Sequence, residues 1–256
     1  MYISQTYSTN TLLRDDYPDA PHLFTIRAGF QTAGRGQAGN GWESEADRNL
    51  LFSTLIRPDN LPATAQFRLS MAVSLALYRT VAAILPAGVA DALALKWPND
   101  LYWHDRKLAG ILIENIIQGP NISRSIAGIG LNVNQTAFTA APNPLSLTQI
   151  TGETYDLEQL LNLFLTELPL ALALPEDELR NAYQARLYRR EGFHPYQERE
   201  VSILPTNNIS PEQAQAENRP VFMAAIAGIT DFGELILRDS EGREHTYHYK
   251  QIRYVL

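Results

Sequence analysis

A glycine-rich loop, FQTAGRGQAGNGW at residues 30–42, is the stretch whose composition most clearly points to chemistry. Glycines occupy positions 34, 36, 39 and 41, with Arg35 as the only cation and Trp42 at the end. Glycine raises the backbone entropy lost on folding, so such a run indicates that the backbone must approach a ligand closely. We therefore favour an anion site here over a plain connecting loop.

The spacing of Gly34, Gly36 and Gly39 matches the GxGxxG pattern of dinucleotide-binding folds, but the surroundings do not. In those folds the third glycine opens a helix whose N-terminus holds the pyrophosphate. Here the chain continues through Asn40 into an acidic stretch and then a strand, and Asp59 lies in a turn. A GxxxxGK(S/T) loop is also missing from the sequence, so a bound nucleotide needs a different device.

The segment SIAGIGLNVN, residues 125–134, has the most regular strand pattern in the chain. Alternate side chains of a strand point to opposite faces. One face carries the apolar residues Ala127, Ile129, Leu131 and Val133, and the other carries Gly128, Gly130, Asn132 and Asn134. Two glycines on one face predict a shallow trough that takes a fused ring against bare backbone, with Trp42 as a candidate wall. The asparagines beyond the glycines could meet phosphate or metal-bound water.

Lysine is rare: of 21 basic residues only Lys96, Lys107 and Lys250 are lysines, and two of them lie in KWPNDLYWHDRKLAGILIE. Compact ammonium groups often serve phosphate sites, although chance clustering and surface ion pairs remain the alternatives. Asp100, in the same stretch, could meet a nucleotide directly or through Mg²⁺. This ion favours oxygen ligands and retains waters, so that one carboxylate suffices. The same residues also read as a strand that runs into a turn.

We predict that an α+β fold positions these residues. Strands are predicted at 23–28 and 50–56, then as hairpins in LALKW, NDLYW and KLAGILIENII, followed by residues 125–134. A long helix is predicted over 63–85, and a short one, TLLRDD, could begin at an N-cap in Ser8-Thr9-Asn10. Residues 135–149 have no clear period and are predicted to form a mobile surface loop.

Two further helices are predicted next, and after them the pattern changes to short strands. A cap at Asp156 opens LEQLLNLFLTEL, which Pro169 is expected to end. The next helix starts at the acidic residues 176–178 and is expected to finish at Arg189, Arg190 and Gly192. After that, short strands at close spacing (EVSIL, PVFMAAIAGI, GELILRD, EHTYHY, IRYVL) predict a small β barrel. We place the boundary between residues 1–192 and 193–256.

Composition excludes several classes of protein. The 256 residues contain no cysteine, so disulfides, thiolate metal sites and cysteine nucleophiles are ruled out. The net charge of −7 and the lack of a basic run argue against nucleic acid as the main partner. A signal peptide and an uncharged apolar stretch of membrane-spanning length are not apparent, so we expect a cytoplasmic protein with no membrane partner.

Taken in order, Ser8-Thr9-Asn10, Arg35, Trp42, KWPND (96–100), KLAGILIE (107–114) and GIGLNVN (128–134) resemble the motifs of the biotin–protein ligase family. The resemblance is strong over about residues 7–134. It implies a class II synthetase-like catalytic domain (1–192) and a small SH3-like β barrel (193–256). With Ser8 so near the start, it implies the form without an N-terminal DNA-binding domain, and hence no DNA partner.

The resemblance also implies a two-step reaction. Biotin attacks the α-phosphate of ATP, with Mg²⁺, to give biotinyl-AMP and pyrophosphate. A lysine of a biotin carboxyl carrier protein or carboxylase carrier domain then takes the biotinyl group. We expect Arg35 and Lys107 to be catalytic, because cations must screen two anions that meet. Asp100 is the candidate Mg²⁺ ligand.

The remaining site residues follow from the same resemblance. Amide and hydroxyl groups that pair a ureido ring should reject acids without one, by as much as roughly 10⁴-fold. For biotin we expect Ser8, Thr9, Asn10, Gln31, Gly34, Arg35, Gly36, Gln37, Trp42, Lys107, Gly110, Leu112, Gly128 and Gly130. For ATP we expect Arg35, Asn40, Trp42, Lys96, Asp100 and Asn132.

Two features of the chain modify this expectation. Gln37 stands where relatives often carry a second arginine that helps to retain the adenylate, so we expect biotinyl-AMP to escape faster here than from a Gln37→Arg variant. The 135–149 loop lies where relatives have a segment that closes over the adenylate, with Phe138 as a candidate contact. Closure would keep water from the mixed anhydride.

Alternative functions remain open at this point. A lipoate–protein ligase or octanoyl transferase has a similar fold but needs an apolar tunnel, whereas Ser8, Thr9, Asn10 and Gln31 are polar. A non-catalytic biotin- or carrier-binding module would not need Arg35 and Lys107 together. The sequence is compatible with a monomer or a homodimer, and strand edges around GPNISRS could pair subunits.

Overall fold

The computed structural model describes residues 1–139, 143–199 and 219–255. The chain divides into two compact units, Met1–Tyr188 and Arg189–Leu256. The division lies four residues before the predicted boundary at 192/193. The predicted strand EVSIL lies outside the described residues.

A seven-stranded sheet forms the centre of the first unit. In spatial order it runs β1-β2-β3-β7-β6-β5-β4. The strands are β1 (Tyr2–Thr6), β2 (Thr25–Gln31), β3 (Leu50–Ile56), β4 (Leu93–Lys96), β5 (Asp100–Trp103), β6 (Arg106–Gln118) and β7 (Asn121–Leu131). Among these strands only the β1–β2 pair is parallel. Short hairpins join β4 to β5, β5 to β6 and β6 to β7, which makes those three pairs antiparallel. The mixed, largely antiparallel sheet of the predicted α+β class is confirmed.

Helices cover both faces of this sheet. They are α1 (Thr9–Asp16), α2 (Phe67–Ile84), α3 (Leu147–Thr151), α4 (Leu157–Leu172) and α5 (Glu176–Gln184). On one face Phe52 of β3 packs edge-on against Phe164 of α4, with ring centroids 5.0 Å apart. On the other face Leu13 of α1 is fully buried in a cluster with Leu55 and Ile126. Successive residues of β3 thus serve opposite faces, as strand alternation requires.

One helix has the composition of a membrane span. The 22-residue stretch Ala63–Ile84, which contains α2, is the only described helix long and apolar enough to cross a bilayer. Within the fold, 61% of its most apolar window is buried, as in the core helix of a soluble protein.

Two local expectations about the helices were wrong, and a third was confirmed. Pro169 lies inside α4 rather than at its end, since Leu168 and Ala171 on either side of it are fully buried and hold the last turn in place. Helix α5 stops at Gln184, because the chain beyond it pairs with the sheet: Leu95 donates its N–H to the carbonyl of Arg186. The cap predicted at Asp156 is confirmed, with its carboxylate accepting from two backbone N–H groups.

The 135–149 segment is anchored rather than mobile at its two described ends. Gln135, Leu145, Ser146 and Leu147 are all buried. Ser146 and Gln149 form a capping box that starts α3, a signal the sequence analysis missed. Apolar residues at its C-terminal end draw this segment into the core, and only residues 140–142 lie outside the description.

The second unit contains a five-stranded antiparallel sheet in the order β11-β10-β9-β8-β12. Its strands are β8 (His194–Glu198), β9 (Val221–Ile229), β10 (Leu235–Asp239), β11 (Glu244–Tyr247) and β12 (Ile252–Tyr254). Tyr196, Ala224, Leu235 and Leu237 are fully buried and form its core. The structure thus has a small antiparallel β unit where the sequence predicted one.

Candidate functional site

The three glycines of the site lie side by side on the sheet face that α1 covers. Gly110 of β6 pairs directly with Gly130 of β7, and Gly128 is two residues further along β7. A side-chain carbon at Gly110 would lie 2.8 Å from the ring of Trp42, and one at Gly130 would overlap the same ring. One at Gly128 would overlap the amide of Asn10. The predicted trough is therefore filled by the protein's own Trp42 and Asn10.

Lys107 lies at one end of this glycine surface. Its ammonium nitrogen is 2.7 Å from Oδ1 of Asp100 and 5.5 Å from the ring centre of Trp42. Asp100 faces Gly110 across the β5–β6 pair. The Lys107 backbone donates to the carbonyl of Asn143 and accepts from the N–H of Leu145, which fixes it as a strand. The structure thus brings Lys107, Asp100 and Trp42 together.

Lys96 lies next to this group. It faces Asp100 across the β4–β5 pair, and its Nζ donates to the hydroxyl of Tyr102 at 2.9 Å. Burial, with a smaller contribution from the charge of Asp100, raises the pKa of Tyr102. This hydroxyl therefore stays protonated and neutral at physiological pH. Lys96, Lys107 and Asp100 give this end of the surface two cations against one carboxylate.

A chain of hydrogen bonds occupies the opposite end. The side-chain carbonyl of Gln31 accepts from the N–H of Thr9 at 2.7 Å and from its hydroxyl at 3.1 Å. Ser53 lies 2.6 Å from the Thr9 hydroxyl and 2.5 Å from the carbonyl oxygen of Asn10. The NH₂ group of Asn10 donates to Glu114 at 2.8 Å. Thr9, Asn10 and Ser53 are all buried.

Ser8 does not use its side chain to cap α1, although the sequence suggested this role. It lies at the N-cap of α1, but its side chain makes no capping hydrogen bond. Gln31, from the neighbouring strand, takes the N–H of Thr9 instead. The hydroxyl of Ser8 is therefore not used to start the helix, although the residue is buried.

Arg35 and Lys107, both predicted to be catalytic, pair with different carboxylates in this structure. Its guanidinium is 3.1 Å from Oε1 of Glu114 and also reaches Thr11 at 3.4 Å. Glu114 is four residues along β6 from Gly110, a separation of about 13 Å in a strand. Each cation thus has its own carboxylate, Arg35 at one end and Lys107 at the other.

The glycine loop folds back on itself. Arg35 bridges to Gly41, the N–H of Trp42 donates to Gly34, and the N–H of Gly36 donates to Asn40. Gly34 is needed because a side chain there would press against the backbone of Trp42. The N–H groups of Gly36 and Trp42 are therefore used inside the loop, and the anion site predicted for the loop stays a prediction. Gln37 and Asn40 lie at the tip.

The two asparagines after β7 make hydrogen bonds to the protein backbone. The NH₂ group of Asn132 donates to the carbonyl of Leu145, and that of Asn134 donates to the carbonyl of Tyr155. Asn134 also accepts the N–H of Tyr155. In this structure both amides fasten the returning segment to the sheet, and their contact with phosphate or metal-bound water stays a prediction. Phe138 is half-buried on that segment.

Two residues of the site, Glu114 and Ser53, were missed by the sequence analysis. Glu114 shares a strand parity with Gly110 and Leu112, and Ser53 is a hydroxyl residue between apolar Leu51 and Leu55 on one face of β3. A polar residue on the parity that faces the glycines was the available signal. The carbonyl of Leu112 joins the same network by accepting from Asn10 at 3.3 Å.

The described residues contain no cluster of three or more metal-binding side chains, and a Mg²⁺ site with Asp100 as its one carboxylate stays a prediction. Asp100, the predicted ligand, is already ion-paired with Lys107.

Comparison with known proteins agrees with this geometry. The model of the biotin/lipoate A/B protein ligase family matches residues 2–132. A biotin–[acetyl-CoA-carboxylase] ligase of Paracoccus denitrificans is 32% identical over 255 residues, covering 94% of this chain and 95% of the relative. One from Mycobacterium tuberculosis is 33% identical, and the match spans 83% of this chain and 66% of that relative.

Solved structures add a likeness of fold. The biotin protein ligase of Aquifex aeolicus, in complex with biotin and ATP, matches with a TM-score of 0.73. The match covers 100% of this chain and 98% of that one at 21% identity. At this identity the likeness establishes the architecture of the sheet and helices.

Proposed function

Because this chain belongs to the biotin/lipoate A/B protein ligase family, we propose that it is a biotin–protein ligase. It activates biotin with ATP and transfers the biotinyl group to a lysine of a carrier protein. The proposal rests on one observation: the two ends of the glycine surface carry different chemical groups on the same face of the sheet. A cationic end at Lys107 and an amide–hydroxyl end at Gln31 lie on either side of the glycine surface.

The cationic end suits the first step. A biotin carboxylate oxygen attacks the α-phosphorus of ATP, the bond to the β-phosphate oxygen breaks, and pyrophosphate leaves. Both reactants are anions, so an ammonium group between them lowers the barrier. Lys107 supplies that group, and Asp100 holds it in place at 2.7 Å until the substrates arrive. ATP brings its Mg²⁺ as part of the substrate.

The amide–hydroxyl end suits the biotin ring. A ureido ring offers one carbonyl acceptor and two N–H donors. The Nε2 group of Gln31 makes no hydrogen bond with the described residues, because Thr9 takes only its carbonyl side. The hydroxyl of Ser8 makes no capping hydrogen bond, so this hydroxyl and Nε2 of Gln31 both provide hydrogen-bond partners for the ring. A plain alkyl acid would leave these groups unpaired, which disfavours lipoate and octanoate.

Trp42 must move for this function. Its ring lies on Gly110 and Gly130, where the valeryl chain of biotin and the nucleotide would meet. Its indole nitrogen is buried without a hydrogen-bond partner among the described residues, so packing and the Lys107 ammonium 5.5 Å from the ring centre hold the ring there. We propose that the ring swings aside and packs against the bound nucleotide.

In the second step the amine of the carrier lysine attacks the acyl carbon of biotinyl-AMP, and AMP leaves as the acyl–oxygen bond breaks. The name of the Paracoccus relative points to acetyl-CoA carboxylase as the carrier of that protein. We propose the corresponding carrier domain as the acceptor here, in the cytoplasm, with a monomer or homodimer as the working form.

The test is pyrophosphate release from Mg–ATP with biotin, lipoate or octanoate offered separately. Release with biotin alone is the expected result, followed by a mass increase of one biotinyl group on a carrier domain. Release with lipoate or octanoate would overturn the choice of substrate. Biotin binding without pyrophosphate release would instead indicate a non-catalytic binding module.

A further inference from the structure

We propose that Asn143 is a positioning residue for Lys107. It holds a β-bulge in β6, and this bulge turns the lysine side chain onto the face of the sheet that carries the site. The inference rests on the proposed biotin ligase function, in which Lys107 acts on the reacting groups. In this role Asn143 does not need to touch substrate, because it acts through the lysine.

The bulge lies where β6 pairs with β5. Leu101 is opposite Ala109, but Tyr102 is opposite Lys107, so Leu108 has no partner on β5. An extra residue in one strand of an antiparallel pair is a β-bulge. Bulges re-aim side chains, because a shift of one residue moves a side chain to the other face of its strand.

Strict alternation along β6 would place Lys107 on the face away from the site. Ala109 and Ile111 have the same parity as Lys107, and both are buried and pair with apolar residues of β7. Gly110, between them, faces the site. The ammonium of Lys107 nevertheless lies 3.3 Å from the position that a side-chain carbon on Gly110 would occupy. The extra residue Leu108 accounts for this change of face.

Residues 143–145 hold the bulge from the side of β6 opposite β5. The strand β7 ends at Leu131, and this stretch takes its place beside Lys107. The N–H of Lys107 donates to the carbonyl of Asn143, and its carbonyl accepts from the N–H of Leu145, both at 2.9 Å. Both backbone polar groups of the lysine are therefore paired with this stretch.

The stretch is itself anchored at its second half. Leu145 is buried, and its carbonyl accepts from the NH₂ group of Asn132 at 3.1 Å. Arg106, next to the lysine, donates to the carbonyl of Pro144. The carbonyl side of Lys107 is thus held by the core, while its N–H side depends on Asn143.

Asn143 has two properties that suit this task. Its φ of 52° lies in the left-handed region, where asparagine is found more often than most residues other than glycine. Its side-chain NH₂ group donates to the carbonyl of Asp105, in the turn that leads into β6. Asn143 therefore holds the chain both at Asp105 and at Lys107, and fixes the start of the strand.

The experiment measures single-turnover formation of biotinyl-AMP by two variants. Asn143→Ala loses the amide donor and is strained at this φ, whereas Asn143→Gly loses the donor but keeps the backbone conformation. We expect Asn143→Ala to slow the reaction by about tenfold or more, because a small displacement of a catalytic group is costly. Asn143→Gly should recover part of the rate.

A double-mutant cycle separates positioning from a loss of stability. If Asn143 acts through Lys107, Asn143→Ala should change the rate by less than about twofold in a Lys107→Gln background. Asn60 offers a matched control, because it is an exposed asparagine with a φ of 50° in the turn after β3. Asn60→Ala should lower the melting temperature about as much as Asn143→Ala but leave the rate unchanged.

Distinct outcomes decide the two proposals. An unchanged rate in a folded Asn143→Ala protein overturns the positioning role. Slowing by the same factor with and without Lys107→Gln also overturns it, since the effect would not pass through the lysine. Equal slowing in Asn60→Ala would show a loss of stability alone and has the same consequence. Absence of biotinyl-AMP from the unaltered protein would instead remove the proposed function.

Discussion

At the scale of single residues, the site depends on charges that are neutralised before substrate binds. The side chain of Lys107 is 27% exposed and its ammonium is paired with Asp100, while Arg35 is paired with Glu114. A partly desolvated ion pair loses little entropy when a substrate carboxylate takes over one partner. The two carboxylates therefore keep both cations in place within a chain that is acidic overall.

Lys107 supplies the first residue-scale prediction. Lys107→Gln should lower the rate of biotin-dependent pyrophosphate release by about 10²-fold or more, because a preorganised donor at the developing charge is lost. Single-turnover measurement of biotinyl-AMP checks this. Lys250→Gln, in the second unit, is the matched control and should keep the full rate. A Lys107→Gln protein with an unchanged rate would contradict the assignment.

Gln37 supplies the second residue-scale prediction. It lies at the tip of the glycine loop, and its side-chain oxygen is buried without a partner among the described residues. Gln37→Arg should slow the release of biotinyl-AMP by roughly tenfold or more, since one charge-assisted hydrogen bond contributes about 1.5–3 kcal/mol. A chase of labelled adenylate measures the release. Gln37→Leu is the neutral control, and equal release from all three proteins would remove the hypothesis.

At the scale of elements, β6 and β7 form the floor of the site because they lack side chains at three facing positions. The same strands bury Ala127, Ile129 and Leu131 on the opposite face against the helices. The strand pair therefore combines a packed core on one face with bare backbone on the other. What lies on the bare backbone differs along its length, with Asn10 on Gly128 and Trp42 on Gly130.

This difference predicts that two alanine substitutions destabilise the fold to different extents. Gly128→Ala should lower the free energy of unfolding by about 1–3 kcal/mol, because Asn10 is buried, hydrogen-bonded and unable to yield. Gly130→Ala should cost less, since Trp42 is on a loop and can move. Its indole would then be exposed, and the tryptophan emission should shift to longer wavelength. Urea unfolding and fluorescence check the pair; a larger loss of stability in Gly130→Ala would contradict this account.

At the scale of the whole molecule, two units with separate cores can respond differently to pH. In the second unit Asp239 ends β10, where partial burial raises the pKa of its carboxyl group. Hydrogen bonds from the backbone and side chain of Arg243, from His245 and from the backbone of Glu241 outweigh that effect and hold the pKa well below its usual range. This carboxylate therefore stabilises the unit while it is ionised.

The sign of the pH effect follows. A lowered pKa in the folded state gives stability that is present above the unfolded value, about 3.9, and is lost as the pH falls through the folded value. Asp239→Asn should speed hydrogen exchange of residues 235–247 at pH 6, and the difference from the unaltered protein should shrink below about pH 3. Glu241→Gln, exposed on the same turn, is the control with a small effect. A difference that grows on acidification would contradict the assignment.

The sequence alone determined the features that depend on local pattern. The alternation of residue types predicted that β7 has one apolar face and one face with glycines. The strand β3 was predicted at its observed bounds of Leu50–Ile56, and Asp156 was predicted as a helix cap. Family motifs in KLAGILIE and GIGLNVN pointed to the strands that form the site. These features need only neighbours in the chain, so they can be inferred from spacing.

Only the tertiary structure decided which groups meet across the fold. In the folded protein Arg35 and Lys107 lie apart, and Trp42 lies on the glycines. The amides of Asn132 and Asn134 donate to backbone carbonyls. The tertiary structure also joined Ser53 of β3, Asn10 of α1 and Glu114 of β6 into one network. Hydrogen-bond partners far apart in sequence are set by strand order and register, and a side chain's type does not reveal which acceptor will lie opposite it.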